Sequence, residues 1–330
     1  MTRPLPVDEA DFPADADLSE QIRFVLHYAC LAPSSHNTQP WLFQVGNRSV
    51  RFYMDRQRWL RSADPDQREL HLSVGCALRA FVRALPHFGL LGAVTFKPDE
   101  ADGDCLVEVL VRHAKGGPER PSVLHLFATR HTSHGDFEDR EPAPAVLEEM
   151  QAAAEYHGVA LSLIRDAGDR AAAAHWLAVA EARQCADPAW REELADWVRR
   201  GVFGTSWLLS RMGALAVRYL DASRALTRKD HDHLADAPVL AVITCIRDEP
   251  VSWLCAGQAY MDICLLLARE GVCIQPMSAL VEDREARARL AQMCDPGKRH
   301  PVHPFRVGYS RIEAERETPR RPLEEMLRPL

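Results

Sequence analysis

The spacing of apolar and polar residues divides the first third of the chain into helices and short strands. In residues 18–31 the apolar positions recur three and four apart, which predicts an amphipathic helix that Pro33 ends. Residues 41–45 and 50–54 predict two strands joined by a tight turn. An apolar helix is predicted at residues 69–88, followed by strands at residues 94–96 and 105–111.

The same kinds of pattern continue beyond Lys115-Gly116-Gly117-Pro118, the clearest linker signal in the chain. The apolar run at residues 252–269 predicts a buried helix between two strands at residues 239–245 and 305–309. Further helices are predicted at residues 146–156 and 171–183 and in the sequence up to residue 226. Because prolines flank Arg320-Arg321, the end of the chain is predicted to be extended.

Two glycine pairs repeat along the chain at the same separation. Gly75 leads through an apolar helix to Gly89, and Gly257 leads in the same way to Gly271. Each pair is followed by a strand-like segment, which together with the linker predicts two related halves. The predicted parts are a tail at residues 1–17, a first module at 18–117 and a second module at 118–330, which carries an insertion at 187–236 and an extended tail at 313–330.

Composition narrows the function classes. The 330 residues are 47% apolar and 26% charged with a net charge of −7, and they contain no long basic run, so neither nucleic acid nor a membrane surface is expected as a partner. We expect no apolar stretch of membrane-spanning length and no export signal in residues 1–17. Nine cysteines without a C-x-x-C pair predict free thiols in a reducing cytoplasm.

The most informative motif is Pro33-Ser34-Ser35-His36-Asn37-Thr38-Gln39-Pro40-Trp41. Hydroxyls and an amide beside turn-forming prolines present hydrogen-bonding groups in a fixed geometry, although an ordinary turn after a helix is the alternative. The string resembles the flavin-contacting motif of the nitroreductase family, whose members bind FMN between two subunits. The resemblance implies flavin contacts from Pro33, Ser34, Ser35, Asn37 and Gln39.

A second motif, Arg130-His131-Thr132-Ser133-His134, combines a guanidinium, hydroxyls and imidazoles. Such a set suits an anion because arginine forms paired hydrogen bonds with phosphate oxygens, whereas a solvated turn is the alternative. The motif resembles the family's segment for the FMN phosphate and ring. That resemblance implies that Arg130 and Thr132 hold the phosphate, that His131 shapes the loop, and that His134 replaces the usual Arg or Lys near the flavin. A protonatable His134 would make the flavin potential fall as pH rises.

Two further segments resemble elements of the family. Residues 318–323 resemble the basic C-terminal segment that closes over the phosphate, which implies a contact from Arg320 or Arg321, and a disordered terminus is the alternative. Residues 275–279 resemble the strand-to-loop element that passes the flavin N5. The implied contacts there come from Pro276, Met277, Ser278 and Ala279, with the backbone N–H groups of the last two as N5 partners.

The motifs are divided between the halves. Ordinary family subunits carry both motifs, but here the serine-rich one lies in the first half and the one at Arg130 in the second. Three features resemble the Acg branch of the family: this complementary loss of motifs, the sequence of residues 64–70, and the Pro-Arg-Arg-Pro-Leu ending. The resemblance implies an α+β, nitroreductase-like, FMN-binding fold: two fused modules forming a pseudo-dimer, with mainly antiparallel sheets, long central helices and one FMN site per chain. The insertion at 187–236 would be a lid or additional packing.

The sequence is compatible with two main functions. In the first, hydride passes from NAD(P)H through the flavin N5 to a small-molecule acceptor such as a nitroaromatic or a quinone, and no protein side chain need be catalytic. In the second, the protein sequesters or stores FMN beneath a lid with little or no reductase activity. A flavin-free scaffold with a decayed site is a third possibility. Fusion of the modules is compatible with a monomer or a homodimer.

Other motifs do not support a competing chemistry. Asp230-His231-Asp232-His233 has metal-ligand residue types, but a solvated turn is the favoured interpretation, and no metal site is predicted. We find no G-x-S-x-G, Walker or Rossmann glycine motif, so the sequence offers nothing for hydrolysis or phosphoryl transfer.

Overall fold

Two four-stranded antiparallel sheets form the framework of the residues that the computed structural model describes, namely 7–96, 102–117, 123–204, 217, 223–295, 298–311 and 318–329. The first sheet contains β1 (Trp41–Val45), β2 (Ser49–Met54), β3 (Leu90–Phe96) and β4 (Cys105–His113) in the order β1-β2-β4-β3. The second contains β5 (Ala160–Ile164), β6 (Val239–Cys245), β7 (Cys273–Pro276) and β8 (His300–Gly308) in the order β5-β6-β8-β7. Each half therefore has the same strand arrangement.

Helices surround and separate these sheets. Within the described residues they are α1 (Leu18–Ala29), α2 (Arg68–Ala84), α3 (Leu124–Thr129), α4 (Pro144–Tyr156), α5 (Ala167–Ala186), α6 (Pro188–Arg199), α7 (Ser223–Asp236), α8 (Pro250–Arg269), α9 (Ala279–Glu282) and α10 (Arg284–Cys294). Short 3-10 turns occur at Glu9–Asp11, Ser35–Asn37, Arg56–Arg58, Leu85–Phe88 and Leu323–Met326. The α+β class with antiparallel sheets is thus confirmed.

Helices α2 and α8 pack against each other at the centre of the molecule. Their close approach depends on Gly75 of α2 and Gly257 of α8, because an added Cβ at either position would overlap the backbone of the opposite helix. The second glycine of each sequence pair, Gly89 or Gly271, adopts a left-handed φ of 69° or 65° just after its helical segment. Glycine accepts this conformation without a steric penalty, which explains the repeated spacing.

By length and composition alone α8 could cross a membrane, so the expectation that no apolar stretch reaches that length was wrong. Within the part of the chain that the structure describes it is the one such helix, and 67% of its apolar window is buried inside the protein. A core helix of a soluble protein has these properties, since it is apolar on all sides.

The C-terminal tail returns from the second half to the first. Leu327 forms a parallel bridge with Phe43 of β1, and the backbone N–H of Arg328 donates to the Phe43 carbonyl at 2.7 Å. The Gln44 amide donates to the Pro329 carbonyl, also at 2.7 Å. The predicted extended tail therefore covers the outer edge of the first sheet.

Three features differ from the sequence predictions. Strand β5 was not predicted, and β8 begins at His300 rather than at residue 305. Asp230-His231-Asp232-His233 does not form a solvated turn, because it lies in α7, where the His233 side chain is 7% exposed and its Nε2 is 3.0 Å from Asp136. The parts of the predicted insertion and tail at residues 205–216, 218–222 and 312–317 lie outside the described residues.

Candidate functional site

Residues 33–39, here called the serine bend, follow α1 and have an unusual backbone. His36, Asn37 and Gln39 all have positive φ values, between 48° and 51°. Left-handed conformations cost about 1 kcal/mol or more each for residues other than glycine, so the surrounding structure must impose them. Inside the bend, the Gln39 N–H donates to Ser34 Oγ at 2.9 Å and the Thr38 hydroxyl donates to the Ser35 carbonyl at 3.0 Å.

The C-terminal tail supplies much of this restraint. The Arg320 guanidinium donates to Asn37 Oδ1, and the Asn37 amide donates to the Pro319 carbonyl at 2.9 Å. Arg321 donates to Gln39 twice, through its backbone N–H at 2.9 Å and its guanidinium at 3.0 Å. The structure thus brings together four of the predicted site residues, Asn37, Gln39, Arg320 and Arg321. Their polar groups, however, are bonded to one another and to the backbone of the bend and the tail.

The insertion covers the same bend. The Asn37 amide also donates to the Val202 carbonyl at 2.7 Å, and the ring of Phe203 lies 6.1 Å from the ring of His36. Burial lowers the pKa of His36 to about 4, so this imidazole is neutral at physiological pH. Residues 202–203 therefore occupy space directly above the serine bend.

Helix α6 of the insertion anchors that cover to the first half. Trp197 packs with Leu60 and Ala63 in a small apolar cluster of buried side chains. The Glu193 carboxylate accepts two contacts from the Ser62 N–H, at 2.7 and 3.0 Å. Burial raises the pKa of Glu193. These contacts fix one end of the insertion against the loop that precedes α2.

A buried Glu69 connects the serine bend with the second half. The Ser35 hydroxyl donates to Glu69 Oε2 at 2.6 Å, and His303 Nδ1 lies 3.6 Å from the other carboxylate oxygen. Glu69 is 1% exposed and His303 is 3% exposed. Burial opposes ionisation of Glu69, but the neighbouring His303 and Ser35 outweigh it and lower its pKa. An ionised Glu69 fixes the Ser35 hydroxyl as a donor toward it, so the outward side of Ser35 is an acceptor.

Further carboxyl groups lie around Glu69. Burial raises the pKa of Asp64 to about 9 and that of Glu282 to about 8, and the charge of Glu69 adds to both effects. Asp64 also accepts the Glu69 and Leu70 N–H groups at the start of α2, at 3.0 and 2.9 Å, which favours its charged form. A cavity of about one water molecule lies between Ser35, Asp64 and Glu69.

Residues 130–134, here called the anion loop, begin at the end of α3. The Arg130 side chain is 7% exposed, and its Nε is buried without a hydrogen-bond partner. Among the described residues no carboxylate forms an ion pair with Arg130. Burial raises the pKa of Cys264 on α8 to about 11, and the positive charge of Arg130 opposes that rise. The Arg130 guanidinium is therefore near the central helices. Thr132 is half-buried two residues further on.

The anion loop pairs with β7, which leads into the other predicted flavin segment. The Ser133 N–H donates to the Ile274 carbonyl at 3.0 Å, and the Gln275 amide contacts His134 Nδ1 at 3.1 Å. A hydrogen bond to Cys273 raises the pKa of His131. The structure therefore joins the anion loop to residues 273–275.

The predicted residues after β7 form the turn into α9. Pro276 is half-buried and closes β7, and the buried Met277 donates its N–H to the Pro304 carbonyl at 2.8 Å. The Ser278 carbonyl accepts the N–H groups of Val281 and Glu282 in α9, and Ala279 is 9% exposed. This turn lies beside His303, which neighbours Pro304 on β8.

The two groups of predicted residues lie along α2. Glu69 meets the serine bend, whereas the charge of Arg130 acts on the thiol of Cys76, seven residues further along the same helix face. Seven residues span about 10 Å of helix. Within the described ranges no hydrogen bond or ion pair joins the serine bend directly to the anion loop. They share the α2–α8 core but remain separate groups.

Sequence reasoning missed Glu69, His303 and Arg306. A helical Glu or an Arg in a late strand is normally exposed, so the pattern marks them as surface positions. His303 lies between prolines, which hid the strand that carries it. The similarity of residues 64–70 to the Acg branch was the available signal for Glu69.

Along most of its length the chain is similar to proteins that are named as nitroreductases. The chain is 29% identical over 318 residues to "Putative NAD(P)H nitroreductase Rv3131" of Mycobacterium tuberculosis (strain ATCC 25618 / H37Rv), covering 94% of this chain and 91% of that protein. It is 32% identical over 84 residues to "Putative NAD(P)H nitroreductase acg" of the same strain, covering 26% of this chain and 25% of that protein. The resemblance to the nitroreductase family and its Acg branch is confirmed.

Two other comparisons complete this picture. No protein-family model matches the chain. Among solved structures, the FMN- and NADPH-dependent nitroreductase NfnB from Sphigopyxis sp. strain HMH aligns with a TM-score of 0.42 and 20% identity over 62% of this chain and 96% of that chain. The FMN-dependent nitroreductase NfnB from Mycobacterium smegmatis in complex with NADPH aligns with a TM-score of 0.41 and 17% identity over 62% and 95%.

Proposed function

We propose that this protein is an FMN-dependent oxidoreductase of the nitroreductase type. Bound FMN would supply the redox chemistry, taking hydride at N5 from NAD(P)H and passing it to a nitroaromatic, a quinone or a similar small acceptor. The chain itself needs to bind, orient and shield that group. Three observations support the proposal: the resemblance of the motifs, the similarity to relatives named NAD(P)H nitroreductases, and the hydrogen-bond donors of the site.

The observation that carries the proposal is the buried guanidinium of Arg130. An unpaired cation in a protein interior is unfavourable unless an anion neutralises it. Arg130 keeps an unsatisfied buried Nε, and the half-buried hydroxyl of Thr132 is close in sequence. This donor set fits a phosphate group. Arg320 and Arg321 donate to Asn37 and Gln39 instead, so we assign the phosphate to Arg130 and Thr132.

The serine bend would orient the ring. The Ser35 hydroxyl donates its hydrogen bond to the ionised Glu69, so Ser35 offers a lone pair to an N–H of a ligand. The restrained backbone of the serine bend, left-handed at His36, Asn37 and Gln39, and the bond to Glu69 hold this hydroxyl in one position, which reduces the entropy lost on binding. Residues 202–203 and α6 would keep water from the site.

Titration of the purified apoprotein with FMN tests the proposal. We expect one FMN per chain, and we expect Arg130→Gln to weaken binding at least tenfold. Arg112→Gln, an exposed arginine on β4, is the matched control and should leave the dissociation constant unchanged. Wild-type protein that takes up no FMN, or an Arg130→Gln variant with wild-type affinity, would contradict the assignment.

Storage of FMN is the second candidate, and one observation favours it. The Asn37 amide and the Gln39 side chain are already bonded to the tail and to Val202, so the bend is covered by the protein itself. Such a cover would exclude a hydride donor as well as water. Anaerobic addition of NADH and of NADPH to the FMN-loaded protein distinguishes the two functions. Bleaching of the flavin absorbance within seconds supports the reductase, whereas no bleaching over an hour supports storage.

A further inference from the structure

Arg306 on β8 is a cation with no solvent exposure at all. Among the fully buried side chains in the described part of the chain, only Trp41 is larger. Burial lowers the pKa of Arg306 to about 10, so the guanidinium still carries its charge at neutral pH. Burying a charge is costly, and a structural role alone is often filled as well by apolar residues. A fully buried arginine therefore calls for an account of what it holds.

The guanidinium holds three segments with a single fork of donors. Its Nε donates to Gln275 Oε1 at 2.7 Å, on β7. One terminal nitrogen donates to the Gly135 carbonyl at 2.6 Å and contacts the Ser133 carbonyl at 3.5 Å. The other donates to the His233 carbonyl at 3.2 Å, at the end of α7. Arginine is the side chain that can direct five N–H groups in one plane toward such partners.

The chain leaving the anion loop is packed on this fork. The ring of Phe137 lies 3.9 Å from the Arg306 guanidinium carbon, a cation–π contact. Asp136 and Asp230 provide the nearby negative charge, and Asp136 also pairs with His233. Arg306 therefore holds two carbonyls, those of Ser133 and Gly135, and one aromatic ring in the segment that directly follows Arg130 and Thr132.

We propose that Arg306 is the positioning residue of the anion loop: it holds residues 133–137 so that Arg130 and Thr132 converge on one phosphate, and it thereby sets the preference for a phosphorylated flavin over riboflavin. This inference rests on the proposed function. Arg306 is assigned no contact with the ligand, because four of its five N–H donors bond protein acceptors and its side chain is fully buried. Its effect should appear in selectivity for the phosphate rather than in overall affinity for the ring.

The experiment measures dissociation constants of FMN and riboflavin for wild type and Arg306→Lys. Lysine keeps the charge but cannot bridge Gln275, Gly135 and His233 together. We expect FMN affinity to fall at least tenfold while riboflavin affinity changes less than twofold. Arg287→Lys is the matched control, because Arg287 also donates to a β8 carbonyl, that of Pro301, but lies away from the anion loop. The ratio of its FMN and riboflavin affinities should equal that of wild type.

Several results would overturn the inference. Equal losses of affinity for FMN and riboflavin would assign Arg306 a general structural role. Wild-type affinity for both ligands would show that Arg306 does not position the anion loop. If Arg306→Lys does not fold, Gln275→Met, which removes the Nε acceptor, should reduce the ratio three- to tenfold, and an unchanged ratio there also contradicts the inference. Wild-type protein that binds riboflavin as well as FMN refutes the phosphate preference alone, whereas binding of neither refutes the proposed function too.

Discussion

Gly75 and Gly257 face each other where α2 and α8 cross. A Cβ built on Gly75 would lie 2.2 Å from the Leu254 carbonyl oxygen, and one built on Gly257 would lie 2.0 Å from that of Leu72. Each glycine thus receives the backbone of the opposite helix. The two central helices therefore meet through the same residue type.

Alanine at either position should therefore destabilise the protein. Alanine improves helix propensity by about 1 kcal/mol, but the overlap with a rigid carbonyl should outweigh this gain, and we expect a net loss of about 2–4 kcal/mol. Chemical denaturation of Gly75→Ala and Gly257→Ala measures it. Gly116→Ala is the control, because a Cβ there meets nothing within 4 Å. Equal stability of all three variants would show that the helices are not in contact.

Removing the Ser35 hydroxyl should destabilise the protein at neutral pH and make its stability less dependent on pH. The folded pKa of Glu69 is lowered, so its contribution to stability is present above its ordinary pKa of 4.5 and is lost as pH falls through the folded value. Ser35→Ala removes a donor, which should raise that pKa and cost about 1–2 kcal/mol at pH 7.

The difference between Ser35→Ala and wild type should shrink as pH falls through the lowered folded pKa of Glu69, because below it the carboxyl group is protonated in both proteins. Unfolding curves from pH 3 to 8 give the comparison. Ser62→Ala, a half-buried serine whose backbone N–H carries its contact with Glu193, should follow wild type throughout. A Ser35→Ala curve parallel to wild type at every pH would mean that Glu69 does not depend on this hydroxyl.

Glu282 should have the opposite pH dependence. Its folded pKa is raised to about 8 by burial, so the folded protein retains a proton that the unfolded chain loses near pH 4.5. The free energy of unfolding should therefore decrease as pH rises from 4.5 to 8. Glu282→Gln removes the titrating group and can still accept from Gln184, so it should be about 1–2 kcal/mol more stable than wild type at pH 8.5 and equal at pH 4. A variant with the wild-type slope would refute this assignment.

Loss of the Glu193 anchor should loosen the cover over the serine bend. Glu193→Ala leaves the Ser62 N–H without its acceptor and should expose α6 to limited proteolysis several-fold faster, with a loss of about 1 kcal/mol in global stability. Glu148→Ala, an exposed position on α4, serves as the control. Cleavage at unchanged rate in residues 187–204 would indicate that the apolar cluster of Trp197 alone holds the cover.

The sequence pattern was sufficient for elements with strong periodicity. Helices α1, α2 and α8 and strands β1, β2 and β6 lie where the apolar spacing predicted them. Strand β5 was missed because it is only five residues long and its Ala160, Leu161 and Leu163 also favour helix. The start of β8 was hidden by Pro301 and Pro304, which are unusual inside a sheet.

The candidate site was predictable where local motifs carry it. The serine bend and the anion loop can be recognised as continuous strings. The contacts of Glu69 with His303 and of Arg306 with Gly135 join residues far apart in the chain. A single sequence contains no signal for such pairings, since a buried charge and an exposed charge look alike in it. The cover of the bend by residues 202–203 depends on the tertiary path of the insertion in the same way.

The tail that pairs with Phe43 has a consequence for the order of folding. The outer edge of the first sheet and the restraints on Asn37 and Gln39 come from residues 319–329, which lie more than 270 residues further along the chain. The amino-terminal half therefore cannot complete its own contacts until this distant segment has docked on it.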